Sequence, residues 1–162
     1  MMQDAAGGLR FTLDLPSPHE PRRFKVRPVA EGEAGAVEEL LRHAPGVSRH
    51  TPPAETPLAA SVRLGAFDEM RVLRAFADLR LGAPTADGCF VELLVVDPRY
   101  RRAGLGAHLF GALAARLREA GARRVALEVD DGNDGAARFW TRLGFAETAR
   151  LDERRAYEKR LA

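Results

Sequence analysis

The stretch from Val96 to Gly106, Val-Asp-Pro-Arg-Tyr-Arg-Arg-Ala-Gly-Leu-Gly, constrains this chain more than any other. An apolar run, Phe90 to Val96, meets a turn at Asp97-Pro98 and a short basic segment. Two glycines then open a segment with Leu105, Leu109, Leu113 and Leu117 at helical spacing. A strand that hands a glycine-bearing loop to a helix start builds an anion site. The first turn of a helix has N–H groups without internal partners, and the helix dipole adds positive character there. On this reading Gly104 and Gly106, lacking Cβ, let a phosphate oxygen approach the backbone, and Arg101 and Arg102 add charge.

The motif narrows the ligand. A P-loop needs Gly-Lys-Ser/Thr, whereas Gly106 precedes Ala107 and His108. The dinucleotide fingerprint needs a third glycine three residues after the second, and Phe110-Gly111 is out of register. What fits is Arg-x-x-Gly-x-Gly preceded by Val-x-Pro-x-Tyr. This string resembles the acetyl-coenzyme A loop of the GNAT superfamily of N-acetyltransferases. A second string supports the resemblance: Asn133, Ala136, Trp140, Gly144 and Phe145 match Asn-x-x-Ala-x-x-x-aromatic-x-x-x-Gly-Phe. Asn133 and Trp140 share a helix face. Before them Val125, Leu127 and Val129 alternate with Ala126, Glu128 and Asp130, as in a half-buried strand.

The resemblance spans about residues 24 to 160 and implies an α/β (α+β) fold: a mixed, mostly antiparallel sheet of six or seven strands with about four helices. It implies that the amides of Arg101, Arg102, Ala103, Gly104, Leu105, Gly106 and Ala107 hold the CoA pyrophosphate, and that a backbone N–H near Leu94, Val95 or Val96 polarises the thioester carbonyl. Asn133 and Trp140 would border the cofactor. The implied reaction moves acetyl from acetyl-CoA to a primary amine on a small molecule or peptide. The chain would need no metal, and no His, Cys or carboxylate cluster has metal-ligand spacing.

Such an amine is mostly protonated at neutral pH. With a pKa near ~10.4, about one molecule in a thousand is reactive; a carboxylate, often through water, can take the proton. Glu92 interrupts the apolar strand and is the first choice; Glu128 is the second. Asp130 and Asp131 read as turn and cap residues before Asn133. Trp140 departs from the family pattern, whose tyrosine is taken to protonate the leaving thiolate. Indole N–H is only a donor. Another group donates, water donates, or no acid is needed; the last two are favoured, since a thiol pKa near ~8.5 makes its anion a tolerable leaving group. Tyr100 reads as a packing residue, and Tyr157 as a residue of the last strand within reach of the site. Trp140 also motivates an alternative, a non-catalytic acyl-CoA-binding or sensing module.

Composition bounds the rest. A chain of 162 residues, 46% hydrophobic, is one domain with a proper core. Cys89 is the only cysteine, which excludes an internal disulfide, and no apolar run approaches a bilayer span. These features favour a cytoplasmic protein without membrane partners. Only Lys25 and Lys159 are lysines. The abundant arginines are interspersed with acids rather than gathered in a stripe, which argues against nucleic acid. A homodimer is compatible with all of this.

Residues 1–22, with Gly7-Gly8, Pro16, Pro18 and Pro21, read as a flexible extension ahead of a domain at 23–162, with a short strand conceivable at Phe11 to Leu15. Further strands are expected at Phe24 to Val29, Ser61 to Phe67 and Met70 to Leu81. In the last of these, Leu73, Ala75, Ala77, Leu79 and Leu81 would share a face. Arg155 to Arg160 forms a closing strand. A helix is expected at Glu33 to His43, ended by Pro45-Gly46. The loop that follows holds Arg49, His50, Pro52, Pro53 and Pro57; the resemblance implies that it borders the acceptor.

Overall fold

The computed structural model describes residues 8–16, 22–44, 47, 49–52, 59–101 and 103–161. Arg102, Pro45-Gly46, Pro53, Pro57 and much of the expected extension lie outside them. Strands β1 (Phe11–Leu15), β2 (Arg22–Pro28), β3 (Ala60–Phe67), β4 (Leu73–Leu81), β5 (Gly88–Val96), β6 (Arg124–Asp130), β7 (Ala146–Arg150) and β8 (Arg154–Arg160) form one sheet in the order β1-β2-β3-β4-β5-β6-β8-β7. Every pairing is antiparallel except β5 with β6. The helices are α1 (Ala34–Arg42), a single turn α2 (Pro98–Arg101), α3 (Leu105–Glu119) and α4 (Asp134–Arg142).

Hydrophobic pattern sets the layers. Alternation along β1 buries Phe11, Leu13 and Leu15, so this strand belongs to the sheet although it falls within the stretch read as an extension. Leu105, Leu109, Leu113 and Leu117 of α3 are all buried and pack on one face of the sheet with Ala75, Ala77, Leu79, Val125 and Leu127. Full burial of one such leucine is worth about 1.5–3 kcal/mol. On the opposite face α1 lays Val37 and Leu40 against Phe76, Leu93 and Val95.

Three details depart from the sequence reading. The sheet has eight strands, not six or seven: β7 has no buried residue, so it carries no alternation that periodicity could detect. Leu73 does not share a face with Ala75. Phe67 pairs with Leu73 while Ala66 pairs with Ala75, so Arg74 is an extra residue that turns Leu73 toward Phe67 and α1. The third is a bulge in β5, where Asp78 pairs with Leu93 and Leu79 with Val91. Glu92 is the residue left over.

Candidate active site

Strands β5 and β6 are paired only at Gly88–Arg124, Cys89–Val125 and Phe90–Ala126. Beyond those rungs Val91 to Val96 and Leu127 to Asp130 run without pairing to each other. A cleft of ≈ 940 Å³ occupies the opening and continues past the start of α3 to the inner face of α4. It is lined from β5 by Glu92, Leu94, Val95 and Val96, and from β6 by Glu128 and Asp130. Arg101, Gly104, Gly106 and Ala107 line it at the loop, and Asn133, Phe139 and Trp140 at α4. Most of the residues singled out in the sequence therefore meet in one place. Leu105 is instead fully buried beneath the loop, and Ala103 is exposed outside the cleft lining.

Ion pairs shape the loop entering α3. Asp97 ends β5 buried, its N–H donating to the Arg74 carbonyl at 2.7 Å. Its carboxylate accepts from the Arg99 backbone N–H at 3.0 Å, from Arg99 Nη2 at 3.0 Å and from Arg74 Nη1 at 3.1 Å. Burial alone would raise the Asp97 pKa; the hydrogen bonds from Arg99 and Arg74 outweigh it and lower the pKa to about 2. Arg101 Nε donates to the Val96 carbonyl at 3.3 Å, tying the loop back to the strand end. Gly104 sits at φ 79°, the left-handed conformation that glycine adopts without strain, and starts α3.

Gly106 is also closely packed by its neighbours. A Cβ there would lie 3.2 Å from Val96 Cγ2 and 3.3 Å from Phe139 Cζ. Its bare Cα lets α3 close against β5 and α4.

The carboxylates line up along the opening. Glu92 is buried and Arg80 Nε donates to its Oε1 at 3.1 Å. Glu128 Oε2 is 2.6 Å from Arg154 Nε. Asp130, read from the sequence as a turn or cap residue, directs its side chain elsewhere: its Oδ1 lies 2.9 Å from His50 Nε2. The helix cap is Asn133, whose Oδ1 accepts from the Ala136 N–H at 3.2 Å. From the loop after α1, the His50 N–H donates to the Glu92 carbonyl at 3.2 Å. Behind it, burial pushes the Asp78 pKa up, but hydrogen bonds from Arg63 and Arg49 bring it down on balance.

Trp140 forms part of an aromatic wall, its ring centroid 4.9 Å from that of Phe139, 5.2 Å from Phe145 and 5.5 Å from Phe110. Neither of the chain's two tyrosines lines the cleft. Tyr100 packs edge-on to Phe24 and under the guanidinium groups of Arg22 and Arg74. Tyr157 is buried in the core opposite Leu127, which removes it as a group reaching the site. The Cys89 thiol is fully buried, and burial pushes its pKa up to about 12, so it is no nucleophile.

Sequence reasoning placed His50 near the acceptor but gave it no chemistry, and passed over Val47, Phe139 and Arg142, which also line the cleft. Helical spacing from Asn133 does not find Phe139 or Arg142, which lie six and nine residues further on and off its face; nothing local to Val47 or His50 records that they meet the opening.

The family model described as Acetyltransferase (GNAT) family matches residues 35–145, more than half the chain. Over 62 residues the chain is 34% identical to N-alpha-acetyltransferase 30 of Xenopus laevis, a stretch that makes up 38% of this chain and 23% of that protein, so the match spans about a quarter of the relative's length. Among solved structures, an acetyltransferase from Thermus thermophilus superposes with a TM-score of 0.70 at 21% identity, over 85% of this chain and 97% of the other. The PaiA N-acetyltransferase of Thermoplasma acidophilum, in complex with coenzyme A, superposes with a TM-score of 0.69 at 16% identity, over 85% and 98%. The structural likenesses establish a shared fold, and the family match establishes descent: this chain belongs to the acetyltransferase (GNAT) family.

Proposed function

We propose that the protein transfers acetyl from acetyl-CoA directly to a primary amine, with a cleft carboxylate as general base. One observation carries the reading: a single continuous cleft joins the helix-start loop, the unpaired edge of β5 and a row of carboxylates. The pyrophosphate would lie at the Arg101 to Ala107 loop, with Arg101 adding charge and Arg102 belonging to the same motif. Pantetheine would run along Leu94 to Val96, walled by Trp140 and bordered by Asn133. A backbone N–H of that span would donate to the thioester oxygen as negative charge develops there. Coenzyme A supplies the activated acyl group; the chain supplies position, polarisation and proton acceptance.

Glu92 is the proposed base, with Glu128 in reserve. The bulge presents Glu92 at the cleft while Arg80 holds its carboxylate in place. No tyrosine reaches the cleft, so the thiolate leaves without a phenolic acid. The acceptor is an amine on a small molecule or peptide; the likeness to an N-alpha-acetyltransferase makes peptide N-termini a first choice to assay. None of the described helices is long and apolar enough to cross a membrane; a cytoplasmic location remains part of this proposal.

Thiol release from acetyl-CoA, followed with spermidine, lysine, an aminoglycoside and short peptides with free N-termini, tests the reading. At least one amine should give steady turnover, and Glu92→Gln should cut kcat by roughly 100-fold and remove the basic group's limb from the pH profile while CoA still binds. Binding of CoA without turnover of any amine would instead favour a non-catalytic acyl-CoA-binding module, the reading that Trp140 raises. Full activity in Glu92→Gln would move the role to Glu128.

A further inference from the structure

His50 spans the opening between the two strands. Its backbone N–H is bonded to the Glu92 carbonyl on β5, and its ring faces β6. Nε2 lies 2.9 Å from Asp130 Oδ1, and Nδ1 lies 3.9 Å from Glu128 Oε2. The side chain is 14% exposed and lines the cleft. A carboxylate within hydrogen-bond distance of one ring nitrogen fixes the tautomer, leaving the other nitrogen with a lone pair. A proton held on Nε2 by Asp130 would leave the lone pair on Nδ1, the ring nitrogen nearer Glu128. The 3.9 Å separation is too long for a direct hydrogen bond, so proton transfer between them needs a small approach of the two groups or a water between them. The charged groups around the ring are Glu128 and Asp130 from β6, Glu92 from β5 with Arg80 from β4, and Arg154 from β8.

We infer that His50, oriented by Asp130, is a proton relay that works through Glu128 and returns the amine's proton to solvent. The inference rests on the acetyl-transfer reading. An ammonium that becomes an amide sheds two protons per turnover. One ends on the sulfur of CoA and one must leave the cleft, so a single buried carboxylate does not complete the cycle. Of the two protons, Glu92 takes the one that ends on the CoA sulfur and Glu128 takes the one that leaves; the Nδ1 lone pair of His50 receives the latter as the ring becomes imidazolium, and the partly exposed ring passes it to water. The C–N bond forms as the C–S bond breaks, and no oxidant or metal is involved. His50 acts through Glu128 and is a positioning and relay residue, not the group that touches the amine.

Two measurements on the whole protein test this. In the wild type, ¹⁵N spectra of the histidine rings across pH should show His50 as the Nε2–H tautomer when neutral; an Nδ1–H tautomer, or a ring that never becomes neutral up to pH 9, would overturn the relay. In turnover with the best amine of the panel, His50→Ala should lower kcat by roughly 30-fold, toward the lower end of acid–base effects. It should also move the pH profile and leave acetyl-CoA affinity within about twofold. Added imidazole should restore at least about fivefold, less so with imidazoles of lower basicity. Asp130→Asn should give a smaller loss. A His50→Ala protein of full activity, or a loss that imidazole does not restore, contradicts the relay while leaving acetyl transfer intact. If the wild type turns over no amine, the acetyl-transfer reading fails first and the relay falls with it.

Discussion

Two glycines of one motif show different physics. Gly104 is glycine because the backbone there is left-handed, which costs other residues about 1–2 kcal/mol. Gly106 is glycine because Val96 and Phe139 occupy the space of its Cβ. Gly106→Val should therefore push α3 away from β5 and α4. We expect a loss of about 1–3 kcal/mol in denaturant unfolding, together with CoA affinity at least ~10-fold weaker, about 1.4 kcal/mol. A folded variant with unchanged affinity would show that the loop's position does not matter to binding. Trp140 divides the possibilities differently. If it acts by shape, Trp140→Phe keeps most of the activity and Trp140→Ala weakens CoA binding by opening the wall. A clear rate gain in Trp140→Tyr would mean that the reaction can use an acid that this cleft lacks. Loss of turnover in Trp140→Phe at unchanged CoA affinity would make the indole N–H essential.

At the scale of elements, the turn from β5 into α2 depends on Asp97. Its folded pKa of about 2 lies below the ordinary ~3.9 of an unfolded aspartate. The stability it contributes is complete above pH ~4 and lost as pH falls from ~4 to ~2, an effect on the order of 2 kcal/mol. Asp97→Asn should flatten that part of the acid unfolding curve and lower stability at pH 7 by a similar amount; an unchanged acid limb would mean the pairs with Arg99 and Arg74 contribute nothing. The elements with strong periodicity, α3 and β5, were legible because burial imposes the pattern. β7 was not, since all its side chains are exposed. The bulges at Arg74 and Glu92 were not, because each depends on which residue of the neighbouring strand it faces. Glu92 could be singled out as a charge in an apolar run, but not as the residue that the bulge leaves unpaired.

For the whole molecule, the two motif strings located the helix starts that frame the cleft, and their order in the chain matched the family. The opening between β5 and β6 was beyond the sequence, since both strands read as continuous apolar or alternating runs to their ends. The link from His50 to Asp130 was equally hidden: 80 residues separate them, and only the folded sheet brings the loop across. The central claim is that acetyl-CoA lies in this opening with its pyrophosphate at the start of α3. Backbone amide NMR on titration with acetyl-CoA tests it without needing the acceptor. The largest shifts are expected at Leu94, Val95, Val96, Arg101, Gly104, Gly106 and Ala107, with smaller ones at Asn133 and Trp140. Shifts confined to another surface, such as the cleft lined by Arg23, Lys25 and Arg71, or no binding at millimolar acetyl-CoA, would contradict it.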